Sequence, residues 1–88
     1  MDNMKEKIIG VVGHYYSNIG VAAITLEGQL AVGDTIHIKG HTTDFTQKIE
    51  SIQIEHKNVT RAKKGDDIGI KVKEHAKKYD VAYKVVEK

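Results

Sequence analysis

The chain has 88 residues, 14 of them Lys or Arg and 12 Asp or Glu, with no cysteine and no proline. This length predicts a single domain over residues 1–88. Without cysteine, a disulfide framework and a thiolate metal site are excluded. No apolar run approaches the roughly 18 residues that cross a bilayer, and the first ten residues do not read as a secretory signal. We therefore expect a soluble, cytoplasmic protein without a membrane partner.

Short segments with alternating apolar residues dominate the chain, and glycine-rich turns separate them. Ile36 and Ile38, for example, alternate with His37 and Lys39, which places the two isoleucines on one face of a strand. Regularly spaced strands of this kind favour a barrel or sandwich. The predicted strands cover residues 7–15, 21–26, 35–39, 44–55, 68–73 and 81–86. We therefore expect an all-β fold of about six strands with no long helix.

The fourth predicted strand changes its side-chain parity halfway along. Phe45 and Ile49 have odd numbers, whereas Ile52 and Ile54 have even numbers. A regular strand cannot bury both pairs on one face, because a shift of one residue turns every side chain over. We expect a β-bulge or bend near residues 50–51, as occurs where strands turn the corner of a small barrel.

Catalytic and cofactor motifs are missing from the sequence. There is no G-x-S-x-G element, and neither Ser17 nor Ser51 has a neighbouring pattern that would activate it. The phosphate-binding pattern G-x-x-x-x-G-K-[ST] is also absent. The five histidines lack the spacing of a metal site; they are His14, His37, His41, His56 and His75. We expect no enzyme activity, no metal and no nucleotide or other cofactor.

Basic residues on predicted strand exteriors suggest a nucleic-acid interface. The segment 71–78 holds four lysines and one histidine against Glu74 alone, although the formal net charge is only +2. If the strands at 35–39 and 68–73 are neighbours, their outward side chains form one patch that could contact RNA phosphates. The candidate RNA-binding residues are His37, Lys39, Lys48, Lys71 and Lys73. The same lysines would also be expected on an ordinary strand exterior that resists edge pairing.

Two Gly-Asp segments carry a family resemblance. Residues 9–40 and 62–72 resemble the second domain of translational GTPases such as elongation factor Tu, and residues 48–54 match the long bent strand of that family. The matching positions in the first segment are Gly10, Val12, Leu30, Val32, Gly33, Asp34, Ile36, Ile38 and Gly40. Those in the second are Ala62, Gly65, Asp66, Ile68, Gly69 and Ile70. The resemblance implies a small closed Greek-key β-barrel. Where relatives often have a Gly-Asp turn before the last strand, this chain has Tyr79-Asp80.

Two further groups of proteins resemble the chain more specifically, and they leave two functions open. The chain is similar to small proteins termed translation elongation factor-like, and to C-terminal barrels of collagenase-like peptidase-family proteins. The first reading is a non-enzymatic module that binds RNA, tRNA, the ribosome or another part of the translation apparatus. The alternative is an accessory module that docks in trans on a peptidase-family or RNA-modification enzyme. Its protein-binding residues would be Tyr16, Ile19 and Val21, near the first hairpin.

Overall fold

The computed structural model describes residues 4–87, which form β-strands and turns with no helix among them. The all-β class expected from the alternating pattern is therefore confirmed. The strands are β1 (Met4–Tyr16), β2 (Val21–Leu26), β3 (Leu30–Ala31), β4 (Thr35–Lys39), β5 (Asp44–Lys48), β6 (Ile52–Ile54), β7 (Lys57–Val59), β8 (Arg61–Ala62), β9 (Asp67–Lys71) and β10 (Val81–Glu87). Within the described part of the chain, no helix is long and apolar enough to span a membrane.

Eight of the strands form one antiparallel sheet in the order β5-β4-β10-β1-β2-β9-β6-β7. The two-residue strands β3 and β8 pair separately, with Leu30 opposite Ala62. Over residues 4–87 no backbone ladder joins β5 to the opposite end of the sheet, so the expected closed Greek-key barrel is not confirmed. Strand pairing leaves the sheet open, with β5 at one edge and β7 at the other.

A side-chain amide spans the gap between the two sides of the sheet. The Nε2 of Gln47, on β5, donates to the carbonyl of Lys71 at 2.9 Å, and the Lys73 N–H donates to Oε1 of Gln47, also at 2.9 Å. These two bonds imitate a short stretch of ladder between β5 and the end of β9. The sheet is therefore curled around its apolar face. The buried aliphatic side chains form one cluster inside it.

The predicted bend in the fourth strand separates two strands. Strand β5 ends at Lys48 and β6 begins at Ile52. Between them Ile49 is buried, and its N–H donates to the carbonyl of Asp34 at 2.7 Å. Phe45, Ile49 and Ile52 are all buried, which a continuous strand could not achieve. The predicted change of register is confirmed. It takes the form of a break in strand pairing over residues 49–51.

Three turns of the same construction hold the ends of the strands. They span residues 31–34, 63–66 and 77–80. Each ends in an aspartate that donates its N–H to the carbonyl three residues earlier and accepts from that residue's N–H through its carboxylate, at 2.8, 3.0 and 2.7 Å respectively. The residue before the aspartate has a positive φ in all three; these residues are Gly33 (99°), Gly65 (93°) and Tyr79 (78°). A left-handed conformation costs a non-glycine residue about 1 kcal/mol.

Candidate functional site

The predicted basic residues lie on strands that are not neighbours. Strands β4 and β9 are separated by β10, β1 and β2 in the sheet order. His37 and Lys39 lie on β4, while Lys71 ends β9 and Lys73 follows it. Lys48 follows Gln47, whose amide binds the backbone of Lys71 and Lys73. The structure therefore places Lys48, Lys71 and Lys73 beside the gap between β5 and β9, with His37 and Lys39 elsewhere on the sheet.

His37 is enclosed by two carboxylates and is not a free cation. Its Nδ1 lies 2.8 Å from Oε2 of Glu6, and its Nε2 lies 2.5 Å from Oδ1 of Asp44. The hydrogen bond to Asp44 raises the pKa of His37 above its ordinary value of 6.5, burial opposes this, and Glu6 adds to the increase. A protonated ring donates to both carboxylates and so links β1 to β5.

This contact predicts a pH dependence of stability. Because the pKa of His37 is raised on folding, its contribution is fully present below pH 6.5 and is lost as pH rises through the folded-state pKa. We expect His37→Gln to lower the free energy of unfolding by about 0.5–1 kcal/mol at pH 5.5 and by less at pH 8, since both carboxylates are partly exposed. Urea unfolding at the two pH values measures this. His41→Gln, at an exposed position, is the control; an equal loss for His37→Gln at both pH values would contradict the prediction.

The three predicted protein-binding residues come together at the first hairpin. Tyr16 ends β1 and is 49% exposed, and Ile19 lies in the turn and is 59% exposed. Val21 pairs with Tyr16 across the hairpin, and its Cγ1 lies 3.3 Å from the position that a Cβ on Gly69 would occupy. Paired residues share a face of the sheet, so Tyr16 and Val21 stand together on its outer face. We call Tyr16, Ile19 and Val21 the hairpin patch.

A cleft opens beside the hairpin patch. It has a volume of about 370 Å³ and is lined by residues 14–19. The rings of His14 and Tyr16 have centroids 4.3 Å apart and form one wall. Histidine and tyrosine combine an apolar ring with a polar tip, so such a wall suits a partner side chain of mixed character.

The connector between β9 and β10, residues 72–80, lies along the end of β1. The ring of His75 packs 5.0 Å from that of Tyr15. Further along, the Tyr79 N–H donates to the carbonyl of Val12 at 2.8 Å, and the Val12 N–H donates to the carbonyl of Asp80 at the same distance. Tyr79 is 76% exposed. Sequence reasoning did not select Tyr79 as a surface residue, although the substitution of Tyr-Asp for Gly-Asp was visible.

A second, larger cleft lies at the short sheet formed by β3 and β8. Its volume is about 440 Å³, and its charged lining residues are Asp34, Arg61, Lys63, Asp66 and Lys84. Both carboxylates already hold turns, and Oδ2 of Asp34 also lies 3.4 Å from Nζ of Lys84. Within the described residues no group of three or more His, Asp or Glu side chains could hold a metal ion. The alternation of apolar residues did not predict this cleft, because β3 and β8 are too short to show a period.

Comparison with known proteins places the chain among peptidase relatives. No protein-family model matches it. It is 41% identical over 76 residues to an uncharacterized protease of Methanocaldococcus jannaschii, covering 85% of this chain and 19% of the relative. It is 43% identical over 83 residues to a collagenase of Porphyromonas gingivalis, covering 91% of this chain and 20% of the relative. The chain thus spans about a fifth of the length of these curated relatives.

Solved structures give the same result for the fold. Two crystal structures show the C-terminal domain of a Geobacillus thermoleovorans protein described as a U32 peptidase. One matches with a TM-score of 0.84 and 26% identity, covering 89% of this chain and 91% of that one. The selenomethionine variant matches with a TM-score of 0.82 and 25% identity, covering 86% and 96%.

These comparisons separate the two functional readings of the sequence. The description of the chain as a translation elongation factor-like, RNA-binding protein is wrong, since the relatives by sequence and by structure are peptidase-family proteins. The turns and buried aliphatics that carried that resemblance determine a fold and not a ligand. The resemblance to C-terminal domains of collagenase-like peptidases is confirmed: the homologues are U32 peptidase and collagenase family members, and the fold is that of the C-terminal domain of a U32 peptidase.

Proposed function

We propose that this domain is a non-catalytic accessory module that docks onto the remainder of a peptidase-family protein. The observation that carries the proposal is the extent of the match. The chain aligns with a fifth of each curated relative, yet it matches almost the whole of a C-terminal domain that was crystallised by itself. A unit that folds separately from the other four fifths is suited to positioning or binding.

The chemistry of the described residues supports a non-catalytic role. Asp34, Asp66 and Asp80 accept hydrogen bonds from backbone N–H groups within their own turns. Carboxylates held in this way cap turns and are poorly placed to exchange protons with a substrate. His37 is occupied by Glu6 and Asp44. These three aspartates and His37 thus stabilise the fold.

The hairpin patch is the docking surface that we propose. Exposed aromatic and aliphatic side chains are the residues from which protein–protein hot spots are built. Tyr16 and Ile19 are about half exposed and border the 370 Å³ cleft, which offers a recess for one side chain of the partner. Burying both side chains at an interface would contribute about 2–3 kcal/mol in total.

A binding titration tests the proposed docking. The partner is the Porphyromonas gingivalis collagenase from which the segment matched by this chain has been deleted, and calorimetry measures the affinity. We expect the wild-type chain to bind, and the double variant Tyr16→Ser/Ile19→Ser to bind at least about tenfold more weakly. The matched control is Ile8→Ser, because Ile8 is 52% exposed near the opposite end of β1. Absence of binding by the wild-type chain, or an equal loss in the control, would overturn the proposal.

A further inference from the structure

One of the three equivalent turns carries a residue that its backbone disfavours. The turns at 31–34 and 63–66 place glycine at the left-handed position, whereas the turn at 77–80 places Tyr79 there, with a φ of 78°. The hydrogen bonds of the turn do not require tyrosine, since glycine supports the same bonds in the other two. A bulky side chain in this region of φ is an outlier, and such residues concentrate at functional sites.

Packing does not account for Tyr79. Its side chain is 76% exposed, so the conformational cost is not offset by burial in the core. The aromatic contact found for its ring is with Nζ of Lys78, 5.4 Å from the ring centroid. An exposed cation–π contact of this length stabilises the fold only slightly. The turn therefore holds a tyrosine ring in an exposed position, on a backbone that is hydrogen-bonded to β1.

The ring is presented on a strongly basic segment. Residues 71–80 contain Lys71, Lys73, Lys77 and Lys78 against Glu74 and Asp80. The carboxylate of Asp80 is buried and accepts the Lys77 N–H within the turn. Within residues 4–87 none of these lysines takes part in an ion pair. Nζ of Lys77 donates to Oγ1 of Thr42 at 2.7 Å, which holds that lysine beside the turn. The adjacent lysines Lys77 and Lys78 therefore let the surface beside Tyr79 complement negative charge.

The backbone of Tyr79 is hydrogen-bonded to β1, the strand that carries Tyr16 of the hairpin patch. Its N–H binds the carbonyl of Val12, and Tyr16 follows four residues further along the same strand. Four strand residues span about 13 Å. An extended segment of about five residues could contact both the ring of Tyr79 and the cleft at residues 14–19.

We propose that Tyr79 is a second docking anchor and that the segment it receives on the peptidase-family partner is acidic. The proposal rests on the docking function proposed above and deepens it by naming the partner's chemistry. The tyrosine ring packs against an apolar or backbone surface of that segment, while the flanking lysines face its carboxylates. Rim lysines of this kind act mainly on the association rate and on its dependence on salt.

The decisive variant is Tyr79→Gly, which restores the residue found in the two equivalent turns. We expect its melting temperature to be at or above that of the wild-type chain, because the left-handed strain is removed. Its affinity for the truncated Porphyromonas gingivalis collagenase should fall about tenfold. Loss of binding without loss of stability would distinguish recognition from a structural role.

A matched pair of charge variants tests the acidity of the partner segment. Lys77→Glu/Lys78→Glu should slow association at least about tenfold at low salt, with a smaller difference at high salt. Lys63→Glu/Lys64→Glu makes the same change at the same positions of the turn at 63–66 and should leave association unchanged.

If the wild-type chain binds but Tyr79→Gly binds equally well, the second anchor is overturned and the docking function stands. If the two charge variants behave alike, the acidic segment is overturned. If the wild-type chain does not bind, the docking function and this inference both fail.

Discussion

Replacing Gly10 with alanine is expected to lower the free energy of unfolding by about 2–3 kcal/mol. The pairing of β1 with β10 shifts register at this residue, since Ile8 lies opposite Tyr83 and Gly10 opposite Ala82. A Cβ at this position would lie 2.6 Å from Cγ2 of Ile24 and 2.6 Å from the carbonyl oxygen of Thr25. Because Ile24 is buried and Thr25 belongs to the paired strand β2, neither atom can move without disturbing the core or the ladder.

Gly13→Ala is the matched control on the same strand. The nearest atom to a Cβ at Gly13 is the carbonyl oxygen of Ala23, at 3.9 Å, which is an ordinary contact. We expect a change within about 0.5 kcal/mol. Urea unfolding followed by circular dichroism measures both variants. Equal destabilisation by the two substitutions would show that the contacts of a Cβ at Gly10 with Ile24 and Thr25 are not the cause.

Truncation of either isoleucine at the break between β5 and β6 is expected to cost about 2–4 kcal/mol. Ile49 and Ile52 have opposite parity, yet both are buried, because the pairing breaks between them. Each Ile→Ala variant leaves a cavity that the surrounding side chains can fill only in part. Since an 88-residue domain has a total stability on the order of 5–10 kcal/mol, either variant should show a large fall in its urea midpoint.

Glu50→Ala provides the comparison for this pair. Glu50 lies between the two isoleucines and is exposed, so its truncation should change the free energy of unfolding by less than about 0.5 kcal/mol. A small effect at Ile49 together with a large one at Glu50 would mean that the bend lies elsewhere and that the register of β5 or β6 is different.

Alternation predicted the longer strands because each has one buried face. In β2 and β9 the even-numbered residues are buried, as the pattern in Ile24, Leu26, Ile68 and Ile70 indicated. Strands β3, β7 and β8 were not predicted, since two or three residues do not establish a period of two. The alternation also did not predict the contact between β5 and the end of β9, because the side chain of Gln47 makes that contact and a backbone ladder does not.

The candidate site was predictable where it depended on local sequence. Tyr16, Ile19 and Val21 meet because one short hairpin joins them. The expected patch of His37, Lys39, Lys71 and Lys73 required β4 and β9 to be neighbours, and strand order cannot be read from the alternation of either strand. Tyr79 was missed for another reason. Its proposed role rests on a positive φ at a position where the two equivalent turns have Gly33 and Gly65, and φ cannot be read from the sequence.

The most direct test of an accessory role is complementation of a peptidase-family protein in trans. The collagenase of Porphyromonas gingivalis, with the matched segment deleted, is assayed for cleavage of collagen with and without this chain. We expect the truncated enzyme to be impaired, the added chain to restore cleavage in a saturable manner, and the chain alone to cleave nothing. Full activity of the truncated enzyme, or cleavage by the isolated chain, would contradict the account.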